Sequence, residues 1–172
     1  MNSLKKLLFY ICFLFFTLTS GNAQKSSKIN VEYSDFADIN QTEIPDALLL
    51  SGHVRVSHEG VVFTCNKAYF FQKENYIKAF GEVQMIQGDT LFLNSKYAEY
   101  NGEVKQAHAT GNVVLRSPES TLKTDTLNFD RNLQQAFYNS DGVITSKENT
   151  LKSKSGRYYA NEKKFQFLTA VT

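Results

Sequence analysis

The strongest constraint in this sequence is that it repeats itself at a spacing close to thirty residues. Gly52, Gly81, Gly111 and Gly142 are separated by 29, 30 and 31 residues, and two places after each stands an apolar residue: Val54, Val83, Val113 and Ile144. A second series, Phe63, Leu93, Leu122 and Leu151, runs at 30, 29 and 29. Seven residues after each member comes an aromatic ring: Phe70, Tyr100, Phe129 and Tyr158. Self-similarity at one period marks a chain built from a single supersecondary unit, each copy burying its apolar face with its neighbours. Four copies fit between Leu50 and Thr172.

Within each copy the local period is two. In Gly81-Glu82-Val83-Gln84-Met85 the valine and methionine face one way and the glutamate and glutamine the other, as in a strand with one dry face. His53-Val54-Arg55-Val56 and Leu91-Phe92-Leu93-Asn94-Ser95 alternate in the same way. Beyond the first two dozen residues the sequence carries no amphipathic helical pattern. Turn residues punctuate the runs at His58-Glu59-Gly60, Gln87-Gly88-Asp89, Asn101-Gly102, Ser117-Pro118-Glu119 and Asp130-Arg131-Asn132. Each copy therefore reads as two strands of roughly ten residues, about eight strands in all, with one or two more between Ile29 and Leu50. Pro45 and Pro118 fall in connections, where the missing N–H harms no ladder. The recurring glycine is expected at a bend, and four bends in line would fold the sheet over. The odd offset between Phe63 and Phe70 would put them on opposite faces of a regular strand, so a bulge is expected in each copy.

Residues 1–23 read as a signal peptide. Lys5 and Lys6 precede an apolar block from Leu7 to Leu18, too short to span a bilayer, and Gly21 and Ala23 suit cleavage before Gln24. Cys12 lies inside that block after Ile11, where lipid attachment would need a small residue. The mature chain, residues 24–172, forms one domain and keeps only Cys65, so no intrachain disulfide is possible; Cys65 reads as a small packing residue. Cleavage removes two lysines and no acid, leaving 17 basic residues (19 − 2) against 17 acidic ones. A neutral chain without a basic stripe excludes nucleic acid as the partner.

The residues that carry chemistry elsewhere are dispersed here. His53, His58 and His108 occupy unrelated positions, with no carboxylate cluster around them, so neither a metal nor a catalytic site is expected. Asp89-Thr90 and Asp125-Thr126 sit at different registers and read as turn and strand-end caps. The 9 tyrosines and 14 phenylalanines raise a sugar-stacking surface as a possibility, but most recur at positions that the strands themselves need. No cofactor is expected, and the chain does not read as an enzyme.

Five stretches resemble a known family: LSGHVRV (50–56), FTCNKAYFF (63–71), GDTLFLNSKYAEYNGEV (88–104), KQAHATGNVVLRSPESTLKTDTLNFD (105–130) and ENTLKSKSGRYYANEKKFQF (148–167). They are similar to the organic-solvent-tolerance (OstA)-like family of Bacteroidetes-type bacteria, which includes relatives of the lipopolysaccharide transport protein LptA. The resemblance covers the chain from about Asn30 onward. It implies an all-β fold, an antiparallel sheet folded over into a β-jellyroll or β-taco, built here from four units. It further implies a periplasmic location associated with outer-membrane biogenesis, lipid A acyl chains held inside, and edges that pair with neighbours to bridge the periplasm. The family's members run longer, so the chain reads as a short relative or as the amino-terminal part of a longer one.

On that reading the lipid-facing residues are Val54, Val56, Phe63, Val83, Met85, Leu91, Leu93, Val113, Leu115, Leu122, Ile144 and Leu151. Burying a methylene stabilises by about 0.8 kcal/mol, so an acyl chain of a dozen carbons contributes on the order of 10 kcal/mol before entropy, without any help from charge. Lys67, Lys96, Arg116 and Arg157 are candidates for contacts with lipid phosphates at the rim. Unpaired edge strands invite head-to-tail association with further copies or with other transport (Lpt) proteins at the inner and outer membranes. Two alternatives stand beside this: a structural β-solenoid or adhesin whose core is filled by its own side chains, and a membrane-tethered partner resembling LptC.

Overall fold

The computed structural model describes residues 27–39 and 42–169. The signal peptide, Cys12 and the cleavage site before Gln24 lie outside the described residues. Thirteen strands follow in order: β1 Asn30–Tyr33, β2 Phe36–Asp38, β3 Leu48–His58, β4 Val61–Phe71, β5 Tyr76–Gln87, β6 Leu91–Asn101, β7 Gln106–Arg116, β8 Ser120–Asp130, β9 Gln135–Tyr138, β10 Gly142–Ser146, β11 Thr150–Ser153, β12 Gly156–Tyr159 and β13 Lys164–Phe167. They form one long, all-antiparallel sheet whose first and last strands do not pair with each other.

The six central strands, β3 to β8, are hairpin-connected neighbours of 11 or 12 residues; four of their five turns fall at the expected clusters, and the fifth, between β4 and β5, is at Gln72-Lys73-Glu74-Asn75, where the sequence carries no such signal. The expected eight long strands are corrected beyond β8. There the sheet forks: β8 pairs through Ser120–Thr124 with β10 and through Asn128–Asp130 with β9, so two would-be long strands become four short ones. The same split occurs at the other end, where β1 covers Arg55–Ser57 of β3 and β2 covers Leu49–Ser51. The cause at the fork is local. Where β5 and β7 pass through a compact glycine bulge, this segment carries Asn139-Ser140-Asp141, too polar and too long to stay in the ladder.

The bulges lie where the recurring glycines are. In β3, β5 and β7 one extra residue is inserted relative to the partner strands, between Ser51 and Val54, Phe80 and Val83, and Thr110 and Val113. Each insertion uses two consecutive left-handed residues: Gly52 and His53 (φ 73° and 44°), Gly81 and Glu82 (71° and 48°), Gly111 and Asn112 (79° and 53°). Glycine takes the first position because a Cβ there would approach Asp35, Asn66 and Lys96 to 3.0 Å or closer. In the even strands the buried side shifts phase at the same level, from Cys65 to Ala68, Ser95 to Ala98 and Thr124 to Leu127. That phase shift is how Phe63 and Phe70, seven residues apart, both end up buried.

Gly142 departs from its series. It pairs with Thr124 as Val113 does, so it occupies the valine position rather than the glycine position, and its φ is not left-handed. Asp141 (φ 54°) stands where Asn112 does. The valine is dispensable because the Tyr138 ring fills its space; a Cβ on Gly142 would lie 2.3 Å from a ring carbon.

Candidate functional site

Eight of the twelve expected inner-face residues form a single cross-strand row. Val56 pairs with Phe63, then Met85, Leu93, Leu115, Leu122, Ile144 and Leu151, one from each of β3 to β8, β10 and β11. Seven inter-strand steps give that row a length of roughly 34 Å. Val54, Val83 and Val113 form the row beside it, next to the bulges, and Leu91 opens β6 one turn away. All but Leu151 belong to one apolar cluster and are at most 5% exposed; Leu151, near the carboxy-terminal edge, is half-buried.

Two further rows lie beyond the bulges; the sequence singles out only the aromatic series Phe70, Tyr100, Phe129 and Tyr158 of the second, and none of the first. Leu50, Ala68, Ala79, Ala98, Ala109 and Leu127 pair successively just past the bulges. Then comes a row of larger groups: Leu48, Phe70, Ile77, Tyr100, Ala107, Phe129, Ala136, Tyr158 and Phe165. Both belong to the same apolar cluster as the first row or pack against it. The rings of Phe63 in β4 and Tyr100 in β6, which sit in the first and last of these rows, lie 4.8 Å apart. The signal was present, since Ala68 and Ala98, and Ala79 and Ala109, are thirty residues apart. Alanine is simply too common to stand out without the pairing.

A column of small polar groups marks the bulges on the even strands. Cys65 Sγ donates to the Lys67 carbonyl at 3.3 Å and Ser95 Oγ to the Tyr97 carbonyl at 3.0 Å, while Thr124 Oγ1 donates to the Asp141 carbonyl at 2.6 Å. Ser153 Oγ meets the Tyr138 hydroxyl at 2.6 Å. Each side chain satisfies a polar group that the bulge would otherwise leave exposed to the apolar interior. Cys65 is one member of this column, and burial pushes its thiol up to about 11. It is a packing residue with the donor role of a serine.

A family model described as OstA-like protein matches residues 26–172. The chain belongs to the OstA-like family. Membership implies a role related to lipopolysaccharide transport, in a transport and binding family rather than an enzymatic one, and it suggests a periplasmic setting. A search of curated proteins finds no matching relative. Among the described residues no helix is long and apolar enough to cross a membrane, and no cluster of three or more His, Cys, Asp or Glu side chains could hold a metal ion.

The other face of this OstA-like sheet mixes dispersed charges with aromatic rings, among them Tyr69, Phe80 and Tyr97 in mutual contact. Lys67 is paired with Glu43 at 3.0 Å, Lys96 packs against Gly111, Arg116 closes β7, and Arg157 lies over the Phe137 ring at 5.8 Å. The four expected rim cations are therefore not brought together. Arg157, His108, Glu99 and Phe137 line an open outer cavity of about 630 Å³. In it the Glu99 carboxylate accepts from the hydroxyls of Tyr76 and Tyr97. Burial opposes ionisation of Glu99, but the two phenol donors outweigh it and hold the carboxyl below its ordinary range. Burial together with the same carboxylate drives both phenols above theirs. His53 bonds Asp35 and His108 bonds Asn128, separately, on the surface.

Proposed function

We propose that this OstA-like protein carries the acyl chains of lipopolysaccharide between two walls of a sheet folded over on itself, as a component of a periplasmic bridge from the inner to the outer membrane. The observation that carries the reading is the continuous apolar row from Val56 to Leu151, flanked by the valine and alanine rows, on a sheet that no helix covers among the described residues. A buried face on a lone sheet must be covered by that sheet. The hydrogen bonds support this: His58 and Asn75, at opposite ends of β4, both donate to the Ser27 carbonyl at 3.0 Å, whereas eleven extended residues would separate them by roughly 35 Å. Three glycine bulges in line, in β3, β5 and β7, support such a shape.

The test is to purify the exported protein from a Gram-negative host and look for bound lipopolysaccharide by mass spectrometry. The protein is expected to carry it, and the Val83→Asp and Leu93→Asp variants to lose it. Lipid retained by both variants would place the ligand elsewhere. A second reading, a structural β-solenoid with a self-filled core, is favoured by one observation: the inner row is closed to solvent by its own side chains. It predicts purified protein without lipid.

A further inference from the structure

The inner face is tied shut where the chain enters the sheet. The Ser27 carbonyl can only accept, which makes His58 Nε2 a donor to it and leaves His58 Nδ1 to accept from the Tyr100 hydroxyl at 2.6 Å. Tyr100 in turn accepts from Arg131 Nη1 at 2.7 Å, while Arg131 Nη2 donates to the Glu59 carbonyl at 3.0 Å and Lys105 pairs with the Glu59 carboxylate at 2.7 Å. On the other side of Ser27, Asn75 Nδ2 donates to the same carbonyl, and Asn75 Oδ1 accepts from the Ile29 N–H at 2.7 Å. Asn75 is fully buried, and the Ile29 side chain belongs to the apolar cluster. Three turns far apart along the chain, β3–β4, β4–β5 and β8–β9, are thus joined through one short segment and one chain of donors.

We infer that Ser27–Ile29 is a releasable strap across the amino-terminal end of the inner face, and that its detachment from Asn75 and His58 opens that face for an acyl chain. The inference rests on the lipid-carrying reading for its purpose, though not for its mechanics. The strap precedes β1 and joins no ladder, and its contacts include the side-chain bonds above, the Lys28–Glu103 ion pair and one isoleucine, whereas neighbouring central strands are laddered along their whole length. Such a segment belongs to the low-stability end of a fold and opens without global unfolding. The clasp is also imperfect: Arg131 Nε is buried without a hydrogen-bond partner, a cost relieved when water enters. An acyl chain in the place of Ile29 would restore the apolar contact that the strap surrenders.

Cys65, buried in the same cluster, reports opening without any lipid. In the full chain with Cys12→Ala, Cys65 is the one thiol, and its labelling by N-ethylmaleimide is followed under native conditions. Asn75→Gly keeps the left-handed backbone at that turn (φ 52°) and removes the two bonds that Asn75 makes to the strap, leaving that of His58. It is expected to speed labelling by about tenfold or more, while Tyr138→Phe, which deletes a buried hydroxyl at the far end, stays within about twofold of the parent. Ile29→Ser, which leaves every turn bond in place, replaces Asn75→Gly if that variant does not fold. Unchanged labelling, or equal acceleration in Tyr138→Phe, would overturn the strap. Faster labelling together with faster uptake from lipopolysaccharide micelles supports strap and cargo alike. Faster labelling without uptake supports the strap and sinks the lipid-carrying reading.

Discussion

Single residues in this fold divide by whether their backbone or their contacts make them irreplaceable. Gly60 and Gly111 share a φ of 79°, but a Cβ on Gly60 meets nothing within 4 Å, whereas on Gly111 it lies 3.0 Å from Lys96 Cβ. Gly60→Ala is therefore expected to cost about 1 kcal/mol of backbone strain, and Gly111→Ala about 2–3 kcal/mol, read as the difference in urea midpoints. Equal losses would show that strain alone governs both. Glu99 gives a pH signature of its own. Its folded-state pKa is lowered, so its contribution is present above the ordinary glutamate range and disappears as pH falls through the lowered value. Tyr76 and Tyr97 are raised, so theirs is complete below the ordinary phenol range and is lost as pH climbs through the raised values. Between pH 5 and pH 3 the parent protein should lose urea resistance more steeply than Glu99→Gln. A steeper loss in the variant would reverse the assignment.

At the level of elements, the fork beside β8 is where long strands give way to short ones, and a knot of hydroxyls holds it. Ser140 Oγ accepts from the Thr126 N–H and the Thr126 hydroxyl, each at 2.8 Å, while Thr124 Oγ1 donates to the Asp141 carbonyl at 2.6 Å. These bonds replace the ladder that Asn139-Ser140-Asp141 interrupts. Ser140→Ala should cost about 1–3 kcal/mol, because it strands a backbone N–H and a hydroxyl together. Hydrogen exchange should then quicken in β9–β12 and not in β3–β6; uniform quickening would mean that the fork is no separate unit. The sequence predicts the six central strands and four of their five turns, since glycine and proline punctuation is local chemistry; the β4–β5 turn, Gln72-Lys73-Glu74-Asn75, carries neither residue and no such signal. It does not predict the fork, because Gly142 satisfies the spacing rule while its role is decided by the Tyr138 ring packed over it.

The molecule as a whole presents two edges, each made of short strands: β1 and β2 at the amino end, β11 and β13 at the carboxy end. Short edge strands limit uncontrolled pairing, yet Phe36 in β2 is 74% exposed and Tyr33 beside it 54% exposed. On the proposed bridge reading this edge receives a neighbour. Light scattering should show the average mass rising with concentration, and Phe36→Lys should flatten that rise; a strict monomer across a wide range would remove the bridge.

Sequence alone determined the recurring glycine and apolar spacings, the alternation and most of the turns, because a strand's two-residue period and a turn's need for glycine or asparagine are properties of a few neighbouring residues. Tertiary structure decided the rest. Only strand pairing places Val56 through Leu151 in one line, shows that alanines form the rows past the bulges, and lets Ser27 receive donors from both ends of β4. Those are contacts between residues dozens of positions apart, and nothing in a local pattern encodes which distant groups will meet once the sheet has formed.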